Sequence, residues 1–360
     1  MEDNDLIQKL DSYSQEKLNK YLMAYKVSED IIRRYADKAD WKIISWYQKL
    51  SEDFIREYAE KVNWTNISCS QKLSESFIRE FADKIDWVDI SSSQILSEPF
   101  IREFADRVSW WNISHYQTLS EGFIREFSDR VDWRNISWNQ TLSEDLIRDF
   151  ADRVDWMGIS YKQKLSEPFI REFADWVNWR LISESQHLSE FFIREYANKV
   201  DWVEISLYQR LSEPFIRKFA DRVSWWNISH YQTLSEGFIR EFSDKVDWRN
   251  ISEYQALSES FIWEFADRVN WGYISERQKL SEPFIREFGD RLDWELLKTN
   301  PHLSHIDIDS LHADYLASKA DYAALGRKAG AEAVREQPVQ PQKAEKTEVQ
   351  SNTQSKSRKH

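Results

Sequence analysis

Two histidines with the spacing of a metal-ligand pair stand at 302–305, in His-Leu-Ser-His. No further Cys or His completes the four-ligand shell that a structural zinc needs, so loop or cap roles suit His302 and His305 better than ligation. The single cysteine, Cys69, excludes an internal disulfide framework and suits a reducing compartment. Carboxylates are plentiful at 62 Asp plus Glu. General acid–base work needs a distinguished pair, yet each of these acids belongs to a recurring charged pattern. The chain has no glycine-rich phosphate loop and no nucleophile motif. It therefore reads as a non-enzyme without metal or cofactor. Asn-Ile-Ser sequons at Asn66, Asn112, Asn135, Asn227 and Asn250 would carry glycans only on a secreted chain. A recurrent Ile-Ser accounts for them more simply. Arg102 and its counterparts recur in ten repeats, with Trp263 in the remaining one. Acids at i−4 and i+4 give this arginine a structural reading.

The elements that position these residues follow from one periodicity. Tryptophan recurs every 23 residues from Trp41 to Trp294, which defines eleven repeats without insertion or deletion. Such a period specifies a solenoid. Residues 27–41 form a leading half-repeat, and the pattern decays after Ser304. Residues 96–137 and 211–252 differ only at Glu103/Lys218 and Arg130/Lys245 across 42 positions. A five-repeat copying event explains this. It would disturb an active site but merely lengthen an extended binding surface.

Within 87–110, Ser97 is placed as an N-cap, Pro99 is tolerated in the first turn, and Leu96 with Ile101 forms a hydrophobic staple. Phe100, Ile101, Phe104, Ala105 and Val108 share one helical stripe. The opposite side offers Glu98–Arg102, Arg102–Asp106 and Glu103–Arg107 as i,i+4 pairs. These features predict a first helix of about three turns. A second, of about two turns, begins beyond a cap at Ser109, with Trp110, Ile113, Ser114 and Gln117 on one side. The fold class is all-α: an α-solenoid of eleven helix pairs. Residues 1–26 and 305–336 are expected to cap it as helices, and 337–360 reads as a disordered tail. The invariant glutamine reads as a ladder that satisfies backbone groups between repeats.

The copies disagree at the positions of Trp111, Asn112, His115 and Tyr116, which a helical wheel groups opposite the invariant residues. The variable face carries Trp46, Tyr47, Trp111, His115, Tyr116, Trp138, Tyr161, Leu207, Tyr208, Trp226, His230, Tyr231 and Tyr254. Exposed aromatics in runs suit a partner surface. Alternatively these side chains lie over neighbouring helices and complete the core. The candidate partner-binding residues are Trp111, His115, Tyr116, Trp138, Tyr161, Tyr208, Trp226, His230, Tyr231 and Tyr254.

Composition narrows the partner. With 18 Trp, 15 Tyr and 20 Phe against 7 Gly and 7 Pro, the chain has surface to bury. A net charge of −13 with bases alternating with acids disfavours nucleic acid. No apolar run reaches membrane-spanning length, and the start lacks the pattern of a secretory signal. A cytoplasmic location is expected. The repeat unit LSExFIREFADxVDWxxIS, over residues 27–304, resembles the 23-residue helical-repeat proteins of giant DNA viruses and some phages. That resemblance implies a viral helical-repeat factor acting in the infected cell, and brings no catalytic residues. The expected function is a protein-interaction scaffold; a self-associating virion or filament protein is the alternative.

Overall fold

The computed structural model describes residues 2–335, and every regular element among them is helical. The chain is an α-solenoid of helix-pair repeats. It comprises two compact blocks, Met1–Ile228 and Ser229–His360. The tail expected to be disordered, 337–360, lies outside the described residues, as does residue 336 of the expected cap.

Residues 96–117 show how a repeat of the first block forms. Ser97 adopts extended angles, and its hydroxyl accepts the Phe100 amide at 3.4 Å. Helix Glu98–Glu103 follows, with Pro99 in its first turn where no intrahelical donor is needed. This helix has six residues, which corrects the expectation of three turns. Phe104 leaves the α-region, and a turn closes instead as Arg107 and Val108 donate to its carbonyl. Tertiary partners replace the helical ladder from there on. The Ser109 amide goes to Ser91 Oγ of the preceding repeat, which frees the Ala105 carbonyl for the Trp110 indole N–H at 2.9 Å.

The second helix, Trp110–Tyr116, has seven residues, two turns as expected. Ser109 makes no side-chain cap bond, whereas the next repeat's Asp132 caps by accepting the Asn135 amide. Phe100, Ile101 and Ile113 are fully buried, with Leu96 and Val108 closing the core edges. The tryptophan that opens the second helix contacts the next repeat. Trp110 lies 6.1 Å from Phe123 and 4.9 Å from Phe127, centroid to centroid, at separations where offset aromatic pairs attract.

Polar ladders join consecutive repeats. Gln117 Oε1 accepts the Leu96 amide at 3.1 Å, while its Nε2 donates to the carbonyls of Ser91 and Gln94 at 3.0 and 2.8 Å. Ser114 Oγ donates to the Trp110 carbonyl and accepts the Asp132 amide. Glu98 accepts the Ser120 amide at 2.6 Å. The charged face also works between repeats. Arg102 sits 3.7 Å from Glu98 but 2.8 Å from Glu126, and Glu103 accepts from Arg79. Asp106 pairs with Arg130, and Arg107 with Asp83. The expected Arg102–Asp106 and Glu103–Arg107 pairs are thus replaced by partners 24 residues away. Beyond Phe104 the backbone is no longer helical, so an i,i+4 separation no longer places side chains together.

At the start of the first block, helices Glu2–Asp11 and Gln15–Ala24 supply the partners a preceding repeat would have supplied. Asn19 Oδ1 accepts the Asp40 amide, Asp11 pairs with Arg34, and Gln48 donates to the Leu22 and Tyr25 carbonyls.

The second block repeats the same grammar. Gln255 donates to Ser229 and Gln232, and Gln278 to Ser252 and Gln255. The last rung is Asn300, whose Nδ2 reaches the Ser275 and Gln278 carbonyls at 2.8 Å each. Helix Ile308–Arg335 then covers the final repeat. His312 stacks on Trp294 at 4.1 Å, and Tyr315 lies so close over Gly289 that an added Cβ would fall 2.7 Å from its ring.

Candidate interaction surface

The second helices present the variable residues, and the ladders determine how rigidly. At the end of Trp110–Tyr116 the Ser114 and Gln117 carbonyls accept from Gln140 Nε2 of the next repeat, and Ser114 Oγ accepts the Asp132 amide of that repeat. The side chains opposite the core therefore project from a braced backbone.

The four variable positions are not equivalent. Trp111 and Tyr116 are 53% and 55% exposed. Asn112, between them on the wheel, is buried and donates to the Val88 carbonyl of the preceding repeat at 2.9 Å. His115 is half-buried, lying parallel to Trp111 at 5.1 Å and edge-on to Tyr116 at 4.3 Å. Its Nδ1 is 2.9 Å from Asn135 Oδ1. The expectation of a wholly free outer face is therefore corrected. Two rows are exposed, and the rows between them are largely covered by adjacent repeats, because side-by-side helices cover each other's flanks; Trp46 and Tyr161, at the His115 position, stay exposed. Asn135, Asn227 and Asn250 are buried as well, so these sequons serve the packing of the repeats.

Trp138 behaves as a packed residue. It is half-buried, its indole N–H donates to Asp155 at 3.1 Å, and it lies over Gly158, where a Cβ would come within 2.8 Å of the ring. Exposed Tyr161 lies 6.1 Å from it. Tyr208 and Trp226 are also exposed in the first block. In the second block, His230 lies 4.0 Å from Tyr231 and 3.8 Å from Tyr254, both exposed tyrosines. The structure thus gathers Trp111, His115 and Tyr116 into one cluster, Trp138 with Tyr161 into a pair, and His230, Tyr231 and Tyr254 into another cluster.

Some exposed apolar residues fall outside the sequence reading. Ile95 is 98% exposed and Phe191 68%. Trp176 and Trp263 are exposed at positions where most repeats have a basic residue. Trp176 lies tilted against Trp156 at 5.8 Å, in the place where Arg107 covers Trp87 at 5.2 Å. Departure from the consensus type was the available signal for both tryptophans.

Burial, aided by Asp89 and Asp86, pushes the Cys69 thiol up, which leaves less thiolate for nucleophilic work. His302 borders a groove with Tyr254, Arg277 and Lys279. No group of three His, Cys, Asp or Glu residues able to hold a metal ion occurs among the described residues. No helix among them is long and apolar enough to cross a membrane. Comparison with protein families, curated proteins and solved structures gives no match.

Proposed function

We propose that this chain is a non-enzymatic scaffold for protein–protein interaction, binding a partner protein or peptide through the exposed aromatic rows of its second helices. The observation that carries this reading is the pair Trp111 and Tyr116, each more than half exposed on a helix braced by buried Gln117, Ser114 and Asn112. Large aromatics on a preorganised backbone lose little freedom on binding, and Trp and Tyr are enriched among interface hot spots. The copied repeats supply Trp226 and Tyr231 as a second set, which would raise avidity. The resemblance of the unit to viral repeat proteins supports a virus-encoded factor in the host cytoplasm. Nucleic acid is disfavoured as partner by the net charge of −13.

The test is capture of partners from the native cell by wild-type and substituted protein. Trp111→Ala with Tyr116→Ala should leave helical content and melting near wild type while weakening capture. Adding Trp226→Ala and Tyr231→Ala should weaken it further. Lost stability, with capture merely following the folded fraction, would overturn the reading. Exposed Ile95 and Phe191 favour a second reading, self-association into a structural assembly. Light scattering that rises with concentration and is abolished by Ile95→Lys would select it.

A further inference from the structure

Lys26, Lys49 and Lys72 occupy one position of the 23-residue period, and all three are exposed. With Trp46 and Ser70 they border a groove of about 280 Å3 that no carboxylate lines. Cations on the first helices of these repeats and in the turns after them are engaged: Arg33 with Asp30 and Glu57, Arg56 with Asp53 and Glu80, Lys61 with Asp37. The three lysines differ from these, having no ion pair or hydrogen bond among the described residues. The acids nearest in sequence are already committed, since Glu29 and Glu52 accept the amides of Ser51 and Ser74. The helix-end carbonyls of Ser45 and Gln48 are likewise taken, by Gln71 Nε2. The ammonium groups thus have no internal task, in a chain whose net charge is −13.

We propose that this groove binds an extended acidic peptide, its carboxylates on Lys26, Lys49 and Lys72 and an aromatic or apolar side chain against Trp46. Packed helices repeat at about 8–10 Å, and three residues of extended chain rise about 10 Å. A carboxylate at every third residue therefore meets successive lysines. The strip ends where Ile95, Thr118 and Thr141 take the same position in the following repeats. Three cations suit a short acidic segment better than a polynucleotide, whose binding grows with each phosphate neutralised. This site goes beyond the aromatic-row proposal and does not rest on it.

The experiment uses the full chain and a fluorescein-labelled peptide of about nine residues, with glutamate at every third position and one phenylalanine, long enough to span three repeats. Saturable anisotropy that weakens as salt rises is expected. Lys26→Glu, Lys49→Glu and Lys72→Glu together should weaken binding by at least about tenfold, since three attractions become repulsions. Circular dichroism should be unchanged because the residues are exposed, and the corresponding glutamine variants should show a smaller loss. Trp111→Ala with Tyr116→Ala should leave this affinity unaltered, which separates the site from the aromatic rows. Three results would overturn the proposal: undiminished affinity in the folded charge-reversed protein, equal binding of a lysine-for-glutamate peptide, or tighter binding of a single-stranded oligonucleotide of equal charge.

Discussion

Replacing Gln117 with Leu removes one rung of the amide ladder while keeping the site filled. Gln117 is buried and makes three hydrogen bonds, accepting from the Leu96 amide and donating to the Ser91 and Gln94 carbonyls. A hydrogen bond is worth about 1 kcal/mol net, and a buried group left without a partner costs about 1–3 kcal/mol. Leucine supplies neither donor nor acceptor and keeps water out, so the loss should be about 3–5 kcal/mol. Coupling between nearest neighbours should concentrate the damage in adjoining repeats. Native-state hydrogen exchange reads this directly: the Leu96 amide should lose protection, while the distant Leu165 amide, bonded to Gln186, keeps it. Gln117→Asn should not rescue. Asn300 serves as a rung only because it stands 22 residues after Gln278, where glutamines stand 23 apart. A Leu96 amide as protected as in wild type, with unchanged melting, would refute the view that the ladder holds the repeats together.

Trp202→Ala removes the ring contacts with Phe215 and Phe219 and the indole bond to the Ala197 carbonyl. Because this tryptophan is only half-buried, a cost of about 2–4 kcal/mol in denaturant unfolding is expected, toward the lower part of the range for aromatic truncation. Asp89→Asn should stabilise the chain. Burial, with Asp86 nearby, raises the Asp89 carboxyl above its ordinary value. The charged form therefore opposes folding at neutral pH, and the stability this carboxyl contributes is present below its unfolded pKa and lost as pH rises through the folded one. An amide removes that loss and is placed to donate to the preceding repeat, as Asn66 and Asn112 do. A gain of about 1 kcal/mol is expected at neutral pH, shrinking as pH falls through about 4, with thermal melting at both pH values as the check.

Much of this protein was legible in its sequence because one contact set is written many times. The Trp spacing, the Ser cap, the apolar stripe and the invariant Gln determined an all-helical repeat array and an inter-repeat amide ladder. Any residue invariant across copies must serve a contact that every copy makes. What the tertiary structure alone decided depends on the translation from one repeat to the next, which no single repeat encodes. That translation gives Arg102 its nearest partner in Glu126 rather than Asp106, and lets Phe104 end its helix because neighbours satisfy the backbone beyond it. It also divides the variable face. Asn112 and Trp138 lie where an adjacent helix covers them, while Trp111 and Tyr116 lie one position away and stay more than half exposed. A helical wheel has no neighbours, so it groups all these positions alike; side-by-side packing at a fixed spacing separates those that brace the array from those left to meet a partner.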